Sequence, residues 1–257
     1  MTASMTDAEL PRFQRFLSSF HRAQAGRTTD FPGGFAALDD TYAHSRGNNH
    51  LLVTGPTDPE RLPGLADELL GHLPHRLVYV LHEEVAAVCR APLEQAGYAY
   101  STTYLMRHTG RVPAHGGARE VGLDALREPV AASWRRLAPE VTDEQVHDLV
   151  ERRTARLRGA EDVRFLASYS EDGEVASWAD LYLDPAAGTA QIEDLVTAGA
   201  HLGKGHGGRV LDTALHLAAE AGCGLRFLTA HASDWPHRWY GRKGFTAVGA
   251  IHVFERA

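Results

Sequence analysis

The amino-acid sequence predicts a mixed α/β protein of two domains. Segments of helical and strand periodicity alternate along all 257 residues, and one Gly/Pro-rich stretch divides the chain near its middle. Hydrophobic and charged fractions of 44% and 23% are those of a globular protein, which excludes extended disorder, collagen-like repeats and coiled coils. Either half is long enough to bury a core of its own.

In the first half, Asp7 precedes Leu10, Phe13, Phe16, Leu17 and Phe20 at helical spacing. This predicts an amphipathic helix to about Gln24, with Pro11 in its first turn. A polar stretch follows. The pattern then gives a short strand over 50–55, a helix over 58–73, a buried strand over 76–81, a helix over 83–97 and an alternating, β-rich run over 98–108. Residues 109–117 are dense in Gly and Pro and lack periodicity, so they are read as the linker between domains 1–112 and 118–257.

The second half opens with helices over 123–137 and 142–157, the latter starting near Thr142, an N-cap candidate by residue type. Strands over 163–170, 174–183 and 189–197 follow in quick succession. Asp172-Gly173 between the first two is a hairpin signal, so an antiparallel meander is expected. A helix over 207–221, a strand over 225–231, a short helix ending near Lys243 and a last strand over 246–254 complete the chain. Both halves close as helix, Gly-aromatic, strand, at Gly97-Tyr98 and Gly244-Phe245, which suggests a duplicated architecture.

Several function classes are disfavoured. No apolar run approaches the roughly 18 residues of a membrane span, and the polar start has no leader-like core, so a cytoplasmic protein without a membrane partner is expected. Cys89 and Cys223 form no CxxC pair and suit a buried place in a reducing compartment. A net charge of −7 without a basic stripe argues against nucleic acid. Fifteen histidines show no metal-ligand spacing, so no metal is expected.

The chemistry lies in Gln191-Ile-Glu-Asp-Leu-Val-Thr-Ala-Gly-Ala-His-Leu-Gly-Lys-Gly-His-Gly-Gly208. A strand empties into a loop whose glycines let the backbone approach a ligand, and the loop becomes a helix N-terminus. Free N–H groups and the positive end of the helix dipole then converge on an anion, so the expected ligand carries phosphates. Gly203, Gly205 and Gly208 also satisfy the dinucleotide pattern G-x-G-x-x-G. That reading fits badly, because only 49 residues follow Gly208 and a Rossmann unit needs several more βα units.

Leu202-Gly203-Lys204-Gly205-His206-Gly207 resembles the Arg/Gln-x-x-Gly-x-Gly/Ala signature of the GNAT acyltransferases. The preceding Glu-Asp-Leu-Val-Thr resembles that family's fourth strand, and Tyr240-Gly-Arg-Lys-Gly244-Phe245 its closing Tyr-x-x-x-Gly-Phe. The resemblance implies two GNAT-like domains in tandem, the first degenerate and the second catalytic. It further implies transfer of an acetyl group from acetyl-CoA to an amine of a small molecule or peptide. The coenzyme would lie on Leu195, Val196 and Thr197 and on the loop from Leu202 through Gly203, Lys204, Gly205, His206, Gly207 and Gly208.

In this reading Glu193 is the base, Tyr240 the acid, and the backbone N–H near Val196 polarises the thioester carbonyl. Strand alternation would turn Asp194 to the face opposite Glu193. His231, at the end of its strand, is a further proton-relay candidate, and a bound anion would favour protonated His201 and His206. Leu202 departs from the signature, where Arg or Gln is usual; His201, Lys204 or Arg209 offer a replacement charge. That departure motivates the alternative, a non-catalytic acyl-CoA sensor or scaffold. The two halves could pair within one copy or through a homodimer.

Overall fold

The computed structural model describes residues 5–257, and the chain groups into two compact units. The first takes the described residues up to Met106, with Thr229–Arg242 and Thr246–Ala257; the second takes Arg107–Leu228 and Lys243–Phe245. The polar start at residues 1–4 lies outside the described residues, as does the side chain of Asp7.

In the first unit, α1 (Met5–Gln24) begins earlier than the sequence suggests, so Pro11 sits inside the helix and not in its first turn. Phe13, Phe16, Leu17 and Phe20 form the buried stripe that the spacing predicts. The segment read only as polar contains a hairpin, β1 (Arg27–Phe31) and β2 (Gly34–Leu38), turning at Gly33 with φ 88°. Its first strand, Arg-Thr-Thr-Asp-Phe, is a polar edge strand without an apolar alternation to betray it. Then follow β3 (His50–Val53), α2 (Leu62–Leu70), β4 (Arg76–Val80), α3 (Glu83–Gln95) and β5 (Ala99–His108). Leu51, Val53, Val78 and Val80 pack with Leu62, Ala66, Leu70, Val85, Cys89 and Leu93 in one apolar core.

The second unit contains β6 (Arg119–Val121), α4 (Asp124–Leu137), α5 (Asp143–Glu151), α6 (Arg153–Arg156), β7 (Asp162–Tyr169), β8 (Val175–Asp184), β9 (Thr189–Thr197), α7 (His206–Glu220) and β10 (Leu225–His231), whose last residues belong to the first unit. The helix expected over 142–157 is therefore two, divided at Arg152. Thr142 caps α5 in a reciprocal capping box with Gln145. The meander is as expected: β7, β8 and β9 pair antiparallel in sequence order, and β10 joins β9 in parallel. Gly173 turns the β7–β8 hairpin with φ 82°. Leu126, Val130, Val146 and Val150 of α4 and α5 cover Phe165, Ala167 and Trp178, while α7 packs on β7, β8 and β9.

The chain closes with α8 (Pro236–Arg242) and β11 (Phe245–Arg256). Strands of the first unit run in the order β1-β2-β3-β4-β11-β5, so the last strand of the sequence lies beside β4, antiparallel to it. Gly97 and Gly244 share a left-handed φ of 86°. After α3, the Tyr98 amide donates to Leu93 O and the Gly97 amide to Glu94 O, the Schellman pair that ends a helix on glycine. Among the described residues no helix is long and apolar enough to cross a membrane.

Candidate active site

The loop before α7 is built by glycine in two ways. Gly203 and Gly205 have φ of 75° and 82°, where a side chain is strained, yet the space where a Cβ would stand is open at both. Their constraint is conformational: the chain turns through a left-handed backbone that glycine alone adopts without strain. Gly207 is needed for space, because its Cβ would lie 3.1 Å from Thr197 Oγ1. Its absence lets the first turn of α7 rest on the end of β9.

No side chain caps α7. The amides of His206, Gly207 and Gly208 thus have no acceptor within the helix and carry the positive end of its dipole. Cations surround them: Lys204 and Arg209 are exposed, and Lys243 Nζ lies 3.3 Å from where a Gly208 Cβ would be. Lys243 escaped the sequence reading as a site residue; its signal was that it and Lys204 are the chain's two lysines. Leu202, at the head of the signature, is 59% exposed.

His201 and His206 are buried with ring centroids 5.7 Å apart. His201 Nε2 stands 3.4 Å from Glu174, and His206 Nδ1 2.7 Å from Ser168 Oγ. Burial, then Arg209, His201 and Lys204, hold His206 below its ordinary range.

The strand that enters this loop is irregular in the right place. Trp178 pairs with Val196 and Asp180 with Glu193, so Asp194 and Leu195 stand opposite Ala179 alone. This is a β-bulge, and Asp194 takes its left-handed position with φ 49°, the one positive φ outside glycine among the described residues. Such a conformation costs a side-chain-bearing residue roughly 1–2 kcal/mol, least for Asn and Asp. On the other side, the β9–β10 pairing runs from Thr189↔Leu225 to Ile192↔Leu228 and stops. From Glu193 onward β9 has no pairing with β10 and keeps only its bulged pairing with β8. Ser177 Oγ donates to Val196 O at 2.7 Å and steadies the freed segment.

The bulge overturns the expectation that Asp194 faces away from Glu193. Directly paired residues share a face, which places Glu193 with Asp180. Asp194 Oδ2 is drawn to the same arginines as Asp180: Arg156 Nη1 at 2.8 Å, Arg153 Nη2 at 3.0 Å and Arg152 Nη2 at 3.3 Å. Arg153 Nε also bonds Asp180 at 3.2 Å, and Arg156 bonds Asp180 as well. One extra residue in the strand resets the alternation.

The electrostatic result is a separation of two adjacent carboxyls. Burial and the neighbouring Asp194 push Glu193 up to about 7, against the opposing pull of Arg156 and the 2.6 Å bond from Gln191 Nε2. Burial would raise Asp194 too, but Arg156, Arg152 and Arg153 hold it far below the usual carboxylate range. Asp194 stays ionised, while Glu193 can give and take a proton near neutrality.

Tyr240 and His231 belong to the first unit. Tyr240 is 8% exposed on α8, its ring centroid 5.1 Å from that of Trp239. His231 is exposed at the end of β10, with Nδ1 2.9 Å from Ser233 Oγ. In the second unit Phe245 packs on His108, ring centroids 5.0 Å apart. Cys89 and Cys223 are free and buried, as expected.

A meander with a bulged strand opens into a glycine loop at an uncapped helix N-terminus, and a titratable carboxyl lies on the bulged strand. Comparison with known proteins agrees. Residues 128–245 match the acetyltransferase (GNAT) family. Three solved structures share the fold over nearly the whole chain. A functionally unknown conserved protein from Staphylococcus epidermidis has a TM-score of 0.68 at 11% identity, covering 91% of this chain and 94% of its own. A GCN5-related N-acetyltransferase from Kribbella flavida has 0.59 at 17%, covering 95% of each. A GNAT-family acetyltransferase from Novosphingobium aromaticivorans has 0.55 at 14%, covering 94% and 97%. At these identities the likeness is one of fold. No curated protein matches the chain in sequence. Family and fold together support an acyl-CoA-dependent N-acyltransferase in general terms.

Proposed function

We propose that this protein transfers an acetyl group from acetyl-CoA to an amine, with the catalytic machinery in residues 118–257 and a degenerate GNAT-like domain in residues 1–112. The observation that carries the proposal is Glu193, a carboxyl near 7 on the bulged end of β9, one strand's length from an uncapped helix N-terminus. The residues fit the coenzyme: left-handed Gly203 and Gly205 open the loop, and Lys204, Arg209 and Lys243 supply charge for its phosphates.

Acetyl-CoA, as co-substrate, supplies a thioester carbonyl. The amine nitrogen forms the new C–N bond, the C–S bond breaks, and coenzyme A leaves as a thiolate. Glu193 accepts the proton that the attacking amine gives up; a pKa near 7 suits a base that must be ionised yet able to hold a proton. The stretch of β9 around Leu195, Val196 and Thr197, past the last β10 pair, is suited to lend a backbone N–H to the oxyanion on the carbonyl. Tyr240, assigned by its place in the closing motif, returns a proton to the sulfur. The acceptor is a small-molecule or peptide amine.

Release of coenzyme A thiol from acetyl-CoA across a panel of amines tests this. Glu193→Gln is expected to lower kcat/KM by about 10²–10⁴-fold, with coenzyme affinity unchanged by calorimetry. Tyr240→Phe keeps the ring and removes the proton; full turnover in either variant would remove that residue from the mechanism. The exposed Leu202 favours a second reading, an acyl-CoA-binding sensor. Coenzyme binding without single-turnover transfer to any amine would establish it.

A further inference from the structure

The bulge in β9 is held from outside the strand. Arg153 and Arg156 of α6 each bond Asp194 on β9 and Asp180 on β8, so two guanidinium groups bridge the carboxylates on both sides of the irregularity. Arg152 adds a third contact to Asp194 at 3.3 Å. The Arg153 and Asp180 side chains are 3% and 0% exposed, so water offers no substitute for these bonds. A left-handed aspartate persists where its surroundings over-determine it. Glu193 is the next residue along, tied on its other side to Gln191 at 2.6 Å.

We propose that the Arg153–Arg156 clamp makes Asp194 the positioning residue for Glu193, fixing the direction of the Glu193 carboxyl and the charges it works against. This rests on the reading of Glu193 as the base. The groups that act on Glu193 are Asp194 and Gln191 on its own strand, Asp180 and Tyr182 on β8, and Arg156 on α6, while Arg152 and Arg153 act on Asp194. From β10, Phe227 and Leu228 stand opposite Gln191 and Ile192 and bring no charge. Carboxylates and guanidiniums thus pull Glu193 in opposite directions, and removing one kind moves it predictably.

The test is a carbon-13 NMR titration of the Glu193 carboxyl in the full chain without substrate, assigned by its loss in Glu193→Gln. Asp194→Asn keeps a residue that tolerates the left-handed backbone and deletes one negative charge; the midpoint is expected to fall by about one pH unit. Arg156→Gln deletes a positive charge, and the midpoint is expected to rise by about as much. If Arg156→Gln does not fold, Arg152→Gln, at the rim of the cluster, removes the same charge with the same expected sign. Opposite shifts are not the signature of a merely loosened site. Midpoints that stay put, or move in the same direction in both variants, overturn the clamp. An inactive Glu193→Gln with unmoved midpoints would sink the clamp alone, whereas an active Glu193→Gln with opposite shifts would sink the base.

Discussion

The units β3–α2–β4 and β9–α7–β10 each run from a strand through a helix to a parallel strand, and in the proposed reading only the second holds an anion. After β3, the amides of Thr54 and Gly55 both donate to Gly33 O, and the Glu60 amide donates to the Asp58 carboxylate. The backbone donors are consumed within the first unit, and Asp58 and Glu60 add negative charge beside α2. After β9, two left-handed glycines hold the loop open, the first-turn amides of α7 are uncapped, and Lys204, Arg209 and Lys243 add positive charge. The strands differ too, since β2 and β3 pair in unbroken register while β8 and β9 are bulged. Identical topology does not confer a site; the spare hydrogen-bond donors and the irregular strand do.

The largest effect expected from breaking this comparison is on coenzyme affinity. Gly205→Val forces a β-branched residue to φ 82° and should weaken acetyl-CoA binding by about tenfold or more in calorimetry. Gly55→Val, at an open position without a left-handed φ, should leave binding unchanged. Equal losses in both would mean that the two connections share the ligand.

A second prediction concerns pH. Glu193 is raised from 4.5 to about 7, so between those values the folded protein holds a proton that the unfolded chain has lost. Its contribution to stability is complete below the unfolded value and is lost as pH rises through about 7. Asp194 runs the other way: its depressed value contributes stability above the unfolded value of 3.8, lost as pH falls. Chemical denaturation from pH 4.5 to 7.5 should show the Glu193 decline in the wild type and a flatter profile in Glu193→Gln. An unchanged slope would place the titrating group elsewhere.

The smallest effect expected is from Leu202→Arg, which restores the usual residue at the head of the loop. In the proposed reading backbone amides and three nearby cations serve the phosphates, so affinity should improve by only about two- to fivefold. A gain of a hundredfold would show that Leu202 had crippled the loop.

Much of this was legible because it is local. Glycine spacing before a helix, helical stripes such as Phe13–Phe20, the Asp172-Gly173 hairpin and the Thr142 cap each depend on residues a few positions apart, whose conformational preferences travel with the sequence. The missed hairpin at Arg27–Leu38 lacked such a signature, because a polar edge strand is specified by its neighbour's register and not by its own alternation.

By itself, then, the sequence indicated most of the elements in their order, without the β1–β2 hairpin, β6 and the break at Arg152, and it marked the Leu202–Gly208 loop and Glu193 as the places to watch. Tertiary structure alone decided that β9 bulges at Asp194, that Asp194 shares a face with Glu193, that three arginines from the α5–α6 break gather on Asp180 and Asp194, and that Lys243 stands over the first turn of α7. The physical reason is that alternation holds only within an intact ladder, and a bulge is a property of two strands in register. A carboxyl's pKa, likewise, is set by charges that arrive from tens of residues away in sequence.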